Sequence, residues 1–190
     1  MAKRIGKLFI SLGILCLLSA LGLIVYNSIE EKNSEKYASS FLEELNEKID
    51  DKGDNLTNQE MKVIEIDGYE SIGILSIPAL NVELPVLTDW DYQKLKKAPC
   101  LYYGTYYEEN FVIAAHNYQS HFGRLKELNA KDIISFRDVN GNVYYYEVVL
   151  IETLSKYATE EMVTSGFDLS LYTCTIGGTN RVTVRCDKIT

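Results

Sequence analysis

The chain reads as an all-β domain with short helices, carried behind an N-terminal membrane helix. Three observations predict this. From Tyr69 onward, short runs rich in Val, Ile, Thr, Tyr and Phe recur between turn signals, the pattern of a sandwich or barrel. Two of those turns are strongly marked, by Asn140-Gly141 and by Gly177-Gly178. Ahead of them, Leu8 to Ile29 contains no charged residue. At 190 residues, the chain has room for one soluble domain beyond such a segment.

Leu8 to Ile29 is mostly Leu, Ile, Gly, Ala and Val. As a helix it is long enough to cross a hydrocarbon core of about 30 Å. Lys3, Arg4 and Lys7 precede it, and Glu30 and Glu31 follow. The positive-inside rule therefore places the N-terminus in the cytoplasm and the chain beyond residue 30 outside. A cleaved signal peptide is the rival reading, and Ser19-Ala-Leu-Gly22 has the small residues for it. The apolar run continues through Val25, which favours an uncleaved anchor over residues 1–29.

Residues 30–66 read as a helical and polar linker. Tyr37, Phe41, Leu42 and Leu45 recur at helical spacing among charges, predicting an amphipathic helix from Ser34 to Ile49. It would either pack on the domain or lift it off the membrane. Asp50 to Asn58 is polar and rich in breakers, so it reads as a loop.

Residues 67–190 form the β domain. Ile72 to Ile77 and Val82 to Leu87 are strand candidates around Pro78-Ala-Leu-Asn81. Asp89 to Lys96 suits a short helix. Phe111 to Ala115 is a brief apolar run of the kind that makes a buried strand. Phe122, Leu125 and Leu128 are spaced by three and predict a helical turn within Ser120 to Leu128. Ile133 to Asp138 and Asn142 to Thr153 flank the Asn-Gly turn, and Leu169 to Cys174 and Arg181 to Asp187 flank the Gly-Gly turn.

The last hairpin carries the chemistry. With Gly177-Gly178 at the centre of the turn, in a two-residue or a four-residue loop, Cys174 falls opposite Arg181. One face then reads Ser170, Tyr172, Cys174, Arg181, Thr183 and Arg185; the other reads Leu169, Leu171, Thr173, Val182 and Val184. The second face suits a core. The first sets a thiol beside a guanidinium, which stabilises a thiolate and offers a fork to an oxyanion or a substrate carbonyl. A nucleophile also needs an acid–base partner. Of the two histidines, His116 stands at the end of a strand, which aims its side chain, while His121 lies in the following loop.

The remaining features narrow the class. A net charge of −8 argues against nucleic acid as a partner. No Gly-rich phosphate loop follows a strand, and the residues call for no cofactor. Two histidines five apart, without spaced cysteines or carboxylates, make a poor metal site, so none is expected. Glu108-Glu109 and Asp50-Asp51 read as solvated loops rather than calcium ligands. Cys16 lies in the membrane segment; Cys100 and Cys186 are candidates for a disulfide outside the cell.

Leu171-Tyr-Thr-Cys174, with Arg181 on the next strand and Ala115-His-Asn117 upstream, resembles the sortases. So does Ile77-Pro-Ala-Leu-Asn-Val-Glu-Leu-Pro-Val86. The resemblance runs from Tyr69 to Lys188 and is nearest to a compact, class B-like member. It departs in Ala115, where many relatives have Gly, in the short segment 156–168, where class B members carry a long helix, and in a Cys-to-Arg spacing shorter than in class A. The resemblance implies a sortase-like eight-stranded β-barrel and a membrane-anchored cysteine transpeptidase. Cys174 would be the nucleophile, His116 the general acid/base and Arg181 the substrate or oxyanion stabiliser, with Thr173 and Asn117 contacting substrate. The implied substrates are secreted surface proteins bearing a C-terminal sorting motif, joined to an amine of a cell-wall precursor or a pilin. The alternatives are a cysteine hydrolase using the same trio, or a non-catalytic, membrane-tethered binding β-barrel.

Overall fold

The computed structural model describes residues 2–49 and 61–189. The predicted loop at Asp50 to Asn58, with the Asp50-Asp51 pair, lies outside the described residues. The chain divides into two compact units, Met1–Asn33 and Ser34–Thr190.

The first unit is helical. It belongs to α1 (Ala2–Lys48), a single element where the sequence suggests two helices. The reason is local: residues 30–48 hold no Gly or Pro and are rich in Glu and Lys, so nothing stops the helix. Leu8, Leu17, Ile24 and their apolar neighbours are exposed along it, a distribution a water-soluble helix avoids. This stretch is long and apolar enough to cross a membrane.

The second unit is a closed β-barrel. Its strands are β1 (Ile64–Ile66), β2 (Tyr69–Ile77), β3 (Val82–Leu87), β4 (Cys100–Tyr103), β5 (Phe111–Ala115), β6 (Ile133–Asp138), β7 (Val143–Ser155), β8 (Leu169–Cys174) and β9 (Asn180–Lys188). Two short helices, α2 (Tyr92–Leu95) and α3 (Thr159–Val163), interrupt them. The order is β2-β3-β4-β5-β8-β9-β7-β6, and β6 pairs back onto β2 with Leu75 opposite Phe136, closing eight strands. β1 adds a short hairpin to the start of β2.

Two features of this barrel position the site. β5 runs parallel to β8, and all five of its residues are buried, which explains why it reads as an unbroken apolar run. β8 runs antiparallel to β9, and Leu169, Leu171 and Val184 point into the core with Ile113 and Phe136. The α1 stripe Ala38, Phe41 and Leu45 is also buried, with Ile49 just beyond it, the last three against Ile66, Ile74, Leu87 and Cys100. The amphipathic segment therefore packs on the barrel and is not a free stalk. Burying side chains of that size stabilises by about 1.5–3 kcal/mol each.

Candidate active site

The Gly-Gly hairpin folds in the register that the sequence predicts. Cys174 pairs with Arg181 and Tyr172 with Thr183. The four-residue loop is the one adopted: the Thr175 N–H donates to the Asn180 carbonyl at 3.0 Å. Gly177 (φ 86°) and Gly178 (φ 71°) take the left-handed conformations that this turn demands.

His116 reaches the same place by a different route. In the parallel β5/β8 pair, Ala115 lies opposite Thr173, so the next residues, His116 and Cys174, leave neighbouring strand ends together. The Thr173 hydroxyl donates to the Ala115 carbonyl at 2.8 Å and pins the two ends. Thr173 is 3% exposed and sits in the buried layer. Asn117, half-buried, opens the loop after His116. The structure thus brings Cys174, His116 and Arg181 to one rim of the barrel. Cys174 is a half-buried free thiol, reachable from solvent.

The Arg181 guanidinium is held at the turn, its Nη1 donating to the carbonyls of Gly178 and Asn180, each at 3.1 Å. It also borders a cleft of about 100 Å³ lined by Trp90, Tyr102, Lys156, Met162 and Tyr172. Tyr102 sits edge-on to Tyr172 at 5.2 Å and against Trp90 at 5.7 Å, making an aromatic wall. Burial and the neighbouring Tyr102 push the Tyr172 phenol well above its ordinary range, with Arg181 acting the other way, so Tyr172 is uncharged.

Arg185, on the same hairpin face, has a separate task. It is 2% exposed. Its Nε donates to Glu152 at 2.8 Å, one Nη to Ser170 at 2.8 Å and to the Met162 carbonyl, and the other to the Glu161 carbonyl at 2.8 Å. These bonds tie α3 to the barrel and so fix Met162 in the cleft wall. The alternation of the strand marks Arg185 as sharing a face with Cys174, but only its partners show it to be a clamp.

Two further residues have settings that the sequence does not show. The Tyr118 ring stacks on His116, with centroids 4.7 Å apart and planes at 19°. His121 is fully buried, its Nε2 3.2 Å from the Ser34 hydroxyl. Burial, and secondarily His116, push its imidazole down to about 4, so it is neutral at physiological pH. Nothing local in the sequence marks the setting of His121, because its partner on α1 lies 87 residues away.

The other cysteines stay out of this site. Cys100 and Cys186 are buried free thiols in different apolar clusters, and burial pushes the Cys100 thiol up to about 12. Among the described residues, no group of three His, Cys, Asp or Glu side chains is arranged to hold a metal ion.

No curated relative matches the chain. Solved structures share the fold. Sortase A from Corynebacterium diphtheriae is 22% identical with a TM-score of 0.58, the match covering 64% of this chain and 62% of that one. Sortase C1 from Streptococcus agalactiae is 24% identical with a TM-score of 0.58, covering 72% and 78%. Sortase C-3 from Streptococcus pneumoniae is 20% identical with a TM-score of 0.59, covering 86% and 85%. The sortase domain model matches residues 75–189, which hold β3 to β9, both histidines and the Cys174–Arg181 hairpin. The chain belongs to the sortase family.

Proposed function

We propose that this chain is a membrane-anchored cysteine transpeptidase. One observation carries the reading: two strand pairings, β5 with β8 and β8 with β9, deliver an imidazole, a thiol and a guanidinium to a single rim. In the proposed sequence, the Cys174 thiolate attacks a backbone carbonyl in a sorting motif near the C-terminus of a secreted protein. Arg181 turns from its carbonyl partners to the developing oxyanion or the substrate backbone, for which its planar fork is suited. His116 protonates the departing amine, leaving a thioacyl enzyme. His116 then takes a proton from an incoming amine, which displaces Cys174 and forms a new amide. The acceptor is an amine of a cell-wall precursor or of a pilin lysine. The peptide lies in the cleft beside Arg181. Asn117 flanks the acyl site, and Thr173 contributes through its main chain, since its hydroxyl is taken by Ala115.

The same reading assigns residues 1–29 as the anchor with its N-terminus in the cytoplasm, 30–66 as the connecting segment and 67–190 as the catalytic barrel outside. The compact, class B-like assignment belongs with it, with one departure: the segment between β7 and β8 holds only the five residues of α3 as helix, where class B members carry a long one.

The test uses the full chain in lipid nanodiscs with a panel of LPxTG-type and NPxTN-type peptides, with and without triglycine, and mass spectrometry of products. Product carrying triglycine, lost in Cys174→Ala, supports transfer. Cleaved product without triglycine favours the hydrolase. Absence of any Cys174 adduct with a thiol-reactive peptidyl probe overturns both in favour of a binding barrel.

A further inference from the structure

His121 takes no part in the chemistry proposed above, yet it is placed with care. It is fully buried; Nε2 shares a hydrogen bond with Ser34, and among the described residues Nδ1 has no hydrogen-bond partner. Ser34 is 4% exposed and heads the buried stripe of α1. A leucine would fill such a site without the cost of desolvating an imidazole. What the imidazole adds is direction, a single polar bond fixing a loop to a helix.

That loop begins with His116. The Phe122 N–H donates to the His116 carbonyl at 3.2 Å. The N–H groups of His121 and Gly123 both donate to the Tyr118 carbonyl, at 3.0 and 2.8 Å. Between the two histidines stands Tyr118, stacked on His116 and edge-on to His121 with centroids 5.5 Å apart. The loop is thus closed on itself by its main chain. A shift at His121 moves Tyr118, and Tyr118 bears on the face of the His116 ring.

We propose that Ser34, His121 and Tyr118 form a positioning relay that sets the His116 ring against Cys174, so that the helix packed on the barrel belongs to the catalytic apparatus. The proposal rests on the reading of His116 as the acid–base partner of Cys174. The three act through His116: Tyr118 lies on its ring, and His121 and Ser34 stand behind Tyr118.

The experiment measures alkylation of Cys174 by iodoacetamide in the full chain, in nanodiscs and with Cys16→Ser, at pH 6 and at pH 9.5. Assistance from an imidazole matters to a thiol at pH 6, whereas at pH 9.5 an ordinary thiol ionises without help. Ser34→Ala and His121→Leu lower the pH 6 rate by about threefold to tenfold and leave the pH 9.5 rate unchanged, as expected of a misplaced partner. A general loosening of the fold would move both rates. His121→Gln, which returns a polar atom to the Nε2 position, recovers most of the loss, and Tyr118→Phe recovers what Tyr118→Leu loses. If Ser34→Ala and His121→Leu keep the wild-type ratio of rates while His116→Ala lowers it, the relay is wrong and the functional reading stands. If His116→Ala itself leaves the ratio unchanged, the functional reading falls and takes the relay with it. Should His121→Leu fail to fold, Ser34→Ala, which deletes a single hydroxyl, decides alone.

Discussion

The two histidines stand five residues apart and live in opposite surroundings. His116 leaves the end of a buried strand, is half-buried and faces the Cys174 rim. His121 is fully buried against α1, with its imidazole pushed down to about 4. The first is the ring to which the proposed chemistry gives the proton transfers; the second is neutral and fixed. The difference is not in the residue but in what ends beneath it. A strand end holds its first loop residue through the ladder, while the interior of the loop is held only by whatever side chains it meets.

The widest test of that contrast is catalytic. Cys174→Ala abolishes peptide transfer. His116→Ala lowers kcat by about 10²–10⁴-fold, the range for a lost acid–base group. His121→Gln retains far more activity than His116→Ala. Steady-state kinetics on the full chain check the order; equal losses at both histidines would erase the distinction between them.

The hairpin arginines form a parallel pair. Arg181 is half-buried at the rim and Arg185 is locked in the clamp on α3. Arg181→Lys keeps the charge but not the fork and is expected to lower kcat by about 10²-fold, near the value of one lost oxyanion donor. Thermal unfolding of this variant stays close to wild type, because among the described residues Arg181 bonds its own turn. A substantial fall in Tm would show that Arg181 shares the structural work of Arg185.

How much of this was legible depended on the distance over which each feature is set. The Cys174–Arg181 register follows from a turn three residues away from either partner, and the sequence reading of it agrees with the structure. The closeness of His116 to Cys174 depends on a parallel pairing between segments 58 residues apart, as the Thr173–Ala115 bond measures. No local pattern encodes that; only the family resemblance supplied it. β4 went unread because Cys100 to Tyr103 is brief, follows Pro99 and carries a register shift between Leu101 and Tyr103, which spoils the alternation. The unbroken α1 was read as two helices because its composition changes at Glu30, although nothing there ends a helix.

The contrast between the histidines also predicts a pH dependence. In the unfolded chain His121 protonates near 6.5, and in the fold only near 4. Between these values the unfolded state binds more protons. The stability from burying the neutral ring is complete above pH 6.5 and is lost as pH falls toward 4. The shift corresponds to a loss on the order of 3 kcal/mol across the window. The groups near the ring are Ser34, Tyr118 and His116, none of them a carboxylate that would offset the effect. Urea midpoints at pH 7.5 and pH 5 should differ for the wild type and converge for His121→Gln; an equal slope in both would assign the acid sensitivity elsewhere.

The smallest change tests the loop itself. Gly123 packs against the main chain of the residues that follow His116: a Cβ there would lie 2.5 Å from the Asn117 carbonyl oxygen and 2.7 Å from that of Tyr118. Both obstacles are backbone, so neither swings aside. Gly123→Ala must therefore open the loop or displace Tyr118, and overpacking of this kind costs about 1–3 kcal/mol. Its effect on function separates two views of the loop. If the loop is only a lid on the core, Tm falls and the alkylation profile of Cys174 keeps its shape. If the loop carries the orientation of His116, the same methyl group lowers the reactivity of Cys174 at pH 6 while the rate at pH 9.5 holds. The second outcome is expected, because the Gly123 N–H and the His121 N–H converge on one carbonyl, that of Tyr118, and a displaced Tyr118 no longer lies flat on the His116 ring.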